Sequence, residues 1–273
     1  MMRESAWRWR ARHGVLTVLA ALGGSLLLLF LAAPIVELVA AGGRSGISRM
    51  AVDRELRQAL ILTALTATLA TTIGVVSGTP IAYALSRLEF KGRALVSAVL
   101  DLPLLIPHPV AGIALLLVLG RESMVGGFAL SFGLRVIGSP AGIVCAMLFV
   151  SAPLYISGAR EAFSRVDRRY EAVARTLGDD SWRAFRRVTL PLASRGMVAA
   201  AVVMWARAVS EFGAIVILTY NPKTVSVLSY DRFTTFGLSE ALPVAAVLAL
   251  FALVPLTVLR ALRYERTVGG ALQ

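Results

Sequence analysis

Apolar residues fall into six long runs: Gly14–Ala41, Ala59–Ser86, Ala94–Gly120, Val136–Ala159, Gly196–Pro222 and Ala241–Leu259. A helix needs about 20 apolar residues to cross the ~30 Å hydrocarbon layer, so each run is long enough to span. The runs are continuously apolar rather than alternating, which predicts helices and not a barrel. Three of them carry charge in small amounts: Glu37 near the end of the first, Asp101 in the third, Arg207 and Glu211 in the fifth, while the second, fourth and sixth carry none. The first run is too long for the apolar region of a cleaved signal peptide, about 7–15 residues.

Composition agrees with this pattern. Of 273 residues, 57% are hydrophobic and 16% charged, and the mean hydropathy is +0.75. A soluble domain carries about 25% charged residues, so the chain has too little polar sequence to wrap a water-soluble globule. Low apolar content marks disorder, and this chain has the opposite. The class is therefore an all-α membrane protein with six transmembrane helices.

The net charge of +12 would suggest nucleic acid in a soluble protein, but here the basic residues sit between the apolar runs. Nineteen Lys and Arg fall on the side of the N-terminus, including Arg87, Lys91, Arg93, nine arginines within 160–195, and Arg260, Arg263 and Arg266. Eight fall opposite. The positive-inside rule then places both termini in the cytoplasm. Trp7 and Trp9 stand where an interfacial aromatic belt is expected. The expected organisation is a cytoplasmic N-terminal segment 1–13, one six-helix domain 14–264 and a cytoplasmic tail 265–273, in a multi-pass protein of the cell membrane.

Enzyme chemistry finds little support. A P-loop needs Gly-Lys-Ser/Thr, and the two lysines, Lys91 and Lys223, follow Phe90 and Pro222. No two glycines stand two apart, so the dinucleotide fingerprint is missing. His13 and His108 are too far apart for a paired-histidine zinc site, so no metal site is expected. Cys145, the single cysteine, lies in an apolar run and reads as a small buried hydrophobe.

The longest polar segment, 160–195, has its own pattern. Val166, Tyr170, Val173, Ala174 and Leu177 recur at helical spacing, Gly178 ends that helix, and Asp179 or Asp180 caps a second short one. Trp182 and Phe185 mark one side of it and Leu190-Pro191 is read as its stop. The result is a cytoplasmic knob suited to docking, or a loop lying on anionic lipid.

Within the membrane, Arg207 and Glu211 are four apart and can pair, as part of a pathway or as a lock between helices. Pro103, Pro107, Pro109 and Gly112 cannot make a regular helix, and broken helices commonly line substrate pathways, although a plain kink is the other reading. Asp101 reads as an interfacial acid, and His108 equally as a packed polar residue or a ligand contact. Thr63, Thr66, Thr68, Thr71, Thr72 and Thr79 could line a polar path, but the preferred reading is that they bond the carbonyl one turn back. Gly74/Gly78 and Gly138/Gly142 are expected to permit close helix packing.

Three stretches carry a family resemblance. Gly178, nine residues, then Val188-Thr189-Leu190-Pro191 resembles the coupling loop of ABC importer permeases. The family's glutamate stands six residues before the glycine, where this chain has Ala172, with Glu171 one residue earlier. DLPLLIPHPVAGIALLL, 101–117, and WARAVSEFGAIVIL, 205–218, resemble the molybdate, tungstate and sulfate permeases, and 220–246 is nearer the tungstate/molybdate branch. The resemblance implies the type I ABC importer permease fold and a homodimer. It implies a separate cytoplasmic ATPase that binds ATP, so that this chain holds no cofactor, and an extracytoplasmic substrate-binding protein. Membrane lipid is the surrounding partner, and nucleic acid is not one. Glu171, Ala174, Leu177, Gly178, Asp179, Trp182, Leu190 and Pro191 would form the ATPase-coupling loop. Arg207, Glu211, Pro107, His108, Pro109 and Gly112 would form the pathway or gate for a tetrahedral oxyanion. A secondary transporter or channel is the rival reading, and it has no reason to build the loop.

Overall fold

The computed structural model describes residues 2–255 and 257, with residues 2–16 given as backbone only. The described residues are helical: α1 Met2–Val52, α2 Arg54–Arg87, α3 Arg93–Leu105, α4 His108–Leu119, α5 Met124–Ser131 and α6 Pro140–Ser164. There follow α7 Arg168–Thr176, α8 Ser181–Ala184, a π-turn Phe185–Thr189, α9 Leu190–Val209, α10 Gly213–Leu218, α11 Val225–Phe236 and α12 Leu238–Ala252. The Trp7 and Trp9 side chains and the segment carrying Arg260, Arg263 and Arg266 lie outside the described residues.

Among the described residues, four helices are long and apolar enough to cross a bilayer: Thr17–Val52 within α1, α2, α6, and the unit Ser181–Val209. The third apolar run is not one rod. It divides into α3 and α4, which bend by 115° at Ile106 and Pro107. Pro107 and Pro109 lack backbone donors, so the helical ladder fails there and restarts in a new direction. The fifth run is also divided. Helix α9 ends at Val209, Ser210 to Phe212 leave the helix, and α10 begins at Gly213. A single span Gly196–Pro222 is thus corrected to a helix, a break and a short second helix. The sixth run begins inside α12, a helix of 15 residues that starts at Leu238, ahead of the run. Among the described residues, up to five segments are long and apolar enough to cross if the bent pair is taken as one.

Between the fifth and sixth runs stands a further helix, α11. Gly237, at φ +81, turns the chain from α11 into α12. Helix α2 starts on Asp53, whose carboxylate accepts from the Leu56 N–H at 3.0 Å. Asp53 also pairs with Arg232 of α11 at 2.6 Å, and Lys223 bridges Asp231 at 2.7 Å and Glu55 at 3.3 Å. Hydrogen bonds from Lys223 and then Tyr220 hold the Asp231 carboxyl below the usual carboxylate range. These ion pairs fasten α11 to the start of α2 at the end of the bundle opposite the 160–195 segment.

The core is built from α2, α6 and α9. Ala67, Ala70, Ile143, Met147 and Val150 fill one part, Leu85, Tyr155, Phe163 and Met204 a second, and Leu56, Val225, Leu228 and Val244 a third that joins α2 to α11 and α12. Gly74 lies against Met204 and Leu148, and Gly78 against Ile156 and Tyr155, so this glycine pair brings α2 onto its neighbours as expected. Gly142 is likewise closely packed, with its Cβ position filled by Thr219 and Val136 atoms. Gly138 is not; it is a turn residue at φ +67 with open space beside it. Thr63, Thr66, Thr72 and Thr79 donate to the carbonyl four residues back at 2.6–2.8 Å, as expected. Two of the six depart from the expectation: Thr68 Oγ1 instead accepts from Trp205 Nε1 at 3.1 Å, and the buried Thr71 hydroxyl makes no hydrogen bond among the described residues. Cys145 is half-buried in α6.

A second glycine pair, Gly42 and Gly46, seats α1 on α12. A Cβ on Gly46 would stand 2.5 Å from the Pro243 carbonyl oxygen and 2.7 Å from Val247 Cγ2. One on Gly43 would meet only Val39, at 3.5 Å. Gly46→Val is therefore expected to lower the thermal unfolding midpoint in detergent, by overpacking worth about 1–3 kcal/mol. Gly43→Val in the same melt should change it little.

Candidate pathway and coupling sites

The two breaks meet. Arg207 in the last turn of α9 donates from Nη2 to Glu211 Oε2 at 2.8 Å. The same nitrogen lies 2.8 and 3.1 Å from the two ring nitrogens of His108, at the start of α4. His108 Nδ1 is 3.5 Å from Glu211 Oε2. The Arg207 side chain is 24% exposed and that of Glu211 1%. The pair forms although Glu211 stands beyond the end of α9, because its N–H still bonds the Ala208 carbonyl at 3.1 Å.

Polar groups at the break find partners within the fold. Glu211 Oε1 accepts from the Ala214 N–H of α10 at 2.8 Å, and the Glu211 carbonyl accepts from Ser226 Oγ at 2.7 Å. Irregular backbone at membrane depth needs such partners. The Val225 N–H donates to Thr63 Oγ1 at 3.0 Å, which fixes α11, and with it Ser226, against α2. Ser226 and Thr63 were not marked by the sequence as part of this site; a serine and a threonine in apolar surroundings give no signal until the fold brings them to the break. Pro107 caps α4 and Pro109 occupies its first turn. Gly112 lets α4 lie against α10: its Cβ would stand 2.9 Å from the Ala214 carbonyl oxygen and 2.9 Å from Ile217 Cβ. The structure thus brings Arg207, Glu211, His108, Pro107, Pro109 and Gly112 to one junction of two broken helices. Asp101 is an exposed residue of α3. Among the described residues no three His, Cys, Asp or Glu side chains converge to hold a metal.

The 160–195 segment forms a knob. Asp167 caps α7, accepting from the Arg169 N–H at 2.9 Å. Its far end is a Schellman turn: the Asp179 N–H reaches the Ala174 carbonyl and the Gly178 N–H the Arg175 carbonyl, both at 3.1 Å. Gly178 supplies the left-handed residue at φ +99. Asp180 caps α8 through the Arg183 N–H at 2.8 Å. Asp179 instead pairs with Arg187 at 2.9 Å, so it braces the turn. Ala174 is buried, while Leu177 is 83% and Trp182 66% exposed. Tyr170 and Val173 are exposed too, so only part of the apolar face, Val166 and Ala174, is turned inward.

Leu190-Pro191 does not stop the second helix. The Leu190 N–H bonds the Phe185 carbonyl across a π-turn, and α8 runs through it into α9. Proline is tolerated because the widened turn and the first turn of α9 do not call on its missing N–H. Glu171 does not project outward either. It accepts from Arg87 Nε at 3.0 Å, Tyr83 at 3.2 Å and Thr189 Oγ1 at 2.6 Å.

Comparison with known proteins gives one consistent answer. The binding-protein-dependent transport system inner membrane component family matches residues 70–264. The molybdate/tungstate transport system permease protein WtpB of Thermococcus kodakarensis is 39% identical over 91% of this chain and 96% of its own length. The sulfate transport system permease protein CysW of Synechocystis is 33% identical over 79% of each. Among solved structures, a bacterial ABC transporter that imports the acidic polysaccharide alginate superposes with a TM-score of 0.70 at 17% identity, covering 95% of this chain and 97% of that one. The MetNI methionine ABC transporter gives 0.63 at 17% identity, over 77% and 95%. The chain belongs to the binding-protein-dependent transport system inner membrane component family, the permeases of ABC importers, and is a multi-pass membrane protein.

Proposed function

We propose that this permease carries a tetrahedral oxyanion, molybdate or tungstate, as a homodimer driven by a separate cytoplasmic ATPase and fed by an external binding protein. The observation that supports this most is the Arg207 cluster. A dianion crossing hydrocarbon needs a fixed positive field, and Arg207 is a partly accessible cation held at the junction of two broken helices. Glu211 balances the guanidinium, so the anion is attracted without being held too firmly for release. The exposed Leu177 and Trp182 on a capped turn are the surface offered to the ATPase, which a channel would not need. The chain's sequence is also 39% identical to a molybdate/tungstate permease.

The test is reconstitution. The permease alone in liposomes is expected to show neither ATP hydrolysis nor concentrative uptake. With its ATPase and binding protein, it should import labelled molybdate or tungstate in an ATP-dependent manner, with sulfate competing poorly. Preferred uptake of sulfate would move the chain to the sulfate permeases, and uptake driven by a proton or sodium gradient without ATP would overturn the importer reading.

A further inference from the structure

Glu171 sits in the docking knob, but its carboxylate is turned inward onto α2 and the π-turn. Its side chain is 12% exposed and that of its partner Arg87 is 7% exposed. Three donors from two elements converge on it: Arg87 and Tyr83 from the last turn of α2, and Thr189 from the π-turn. Further bonds run beside it. Arg87 Nη2 donates to the Val166 carbonyl at 3.0 Å, and Arg168 Nη2 to the Ser86 carbonyl at 3.2 Å. Tyr83 packs edge-on against Phe185 and Phe163, with ring centroids 4.8 and 5.5 Å apart. Phe185 stacks in turn on Trp182.

We propose that Glu171 is a positioning residue, a clamp that makes the docking knob, the end of α2 and the root of α9 move as one body. It is not itself a contact to the ATPase. The argument is one of placement. Thr189 lies in the π-turn, the point where the α8–α9 unit departs from regular α-helix, and a widened turn is the place where such a unit yields. Glu171 holds that point to α2 with a nearly buried, charge-assisted network, the strong class of hydrogen bond. A push on Trp182 then reaches Arg207 at the far end of α9 instead of being absorbed at the π-turn. This rests on the importer reading above.

The test uses the assembled permease–ATPase complex with Glu171→Ala, Arg87→Met and the double variant. Each single change is expected to lower the anion imported per ATP by about tenfold, the scale of one charged hydrogen bond. Affinity for the ATPase should stay within about twofold, as expected of a group that does not touch it. The double variant should be no worse than the worse single, because one contact is broken twice. Spin labels at Ser77→Cys and Thr176→Cys give a readout independent of the anion. Their separation should not change on ATP binding in the wild type, and should change in Glu171→Ala. If Glu171→Ala fails to assemble, Glu171→Gln, which keeps volume and one acceptor, replaces it in every arm. Loss of ATPase affinity in the Glu171 variant but not in Arg87→Met would overturn the proposal, as would multiplying defects or an unchanged label distance. A wild type that imports no oxyanion yet shows the label behaviour would sink the substrate reading and leave the clamp standing.

Discussion

ATP-driven uptake by Arg207→Ala is expected to fall below about one hundredth of the wild-type rate, or hydrolysis to continue without uptake. Removing one member of a buried charge pair costs about 3–5 kcal/mol, because the other is left uncompensated. Glu211, at 1% exposure, would then keep only the Ala214 N–H as a donor, with His108 as the sole candidate to neutralise it. The pathway reading and the lock reading separate in a second variant. Glu211→Gln keeps an acceptor for Ala214 and removes the charge, so it should be milder than Arg207→Ala. The combination Arg207→Ala/Glu211→Gln restores electroneutrality. If it assembles normally but does not transport, Arg207 acts on the anion. If it recovers both assembly and uptake, the pair is a lock, and the gate belongs elsewhere in the proline segment. Size-exclusion profiles in detergent, read beside uptake, distinguish the two.

Gly178→Val is expected to leave the permease inserted but poorly bound to its ATPase. At φ +99 a side chain meets no neighbour, so the penalty is entirely in the backbone. A non-glycine residue in the left-handed region costs about 1–2 kcal/mol, and a β-branched one is at the unfavourable end. Leaving that region releases both bonds of the Schellman turn, and Leu177 and Trp182 lose their fixed relation. Gly178→Ala should give an intermediate loss. Co-purification of the ATPase at wild-type yield by the valine variant would count against docking through this turn.

The helical class, the runs and the capped knob could be read in the sequence, because each rests on local rules: apolar length, Asp at helix starts, glycine at a helix end. The breaks were less legible. Pro107 and Pro109 announce a broken third run, but nothing between Arg207 and Gly213 announces a second break, since no proline stands there and Ser210 and Phe212 are tolerable in a helix. The stop is set by partners far away in sequence, Ser226 on the Glu211 carbonyl and the α4 face on Gly213. Pro191 misled in the opposite direction, because a π-turn removes the conflict that a proline poses to an α-helix. Glu171 lies one residue off the family's spacing, and only its three donors show where it is spent. Arg87 entered the sequence reading as one positive charge among nineteen; its burial against Glu171 is a tertiary fact.

The π-turn has a consequence for phase. A regular helix rotates by about 100° per residue, and a π-turn is in effect one residue inserted without lengthening the rod by a full step. The direction in which Trp182 points and the direction in which Arg207 points are therefore set by the residue count through Phe185–Thr189. Deleting one residue there would let the turn relax to α while keeping the two ends in register. Deleting one residue in the regular part of α9 would swing Arg207 away from His108 by roughly a quarter turn. The 29 residues from Ser181 to Val209, about 43 Å as a helix, thus act as a shaft with a keyed angle, and the π-turn is where a change in length can be taken up without loss of that angle.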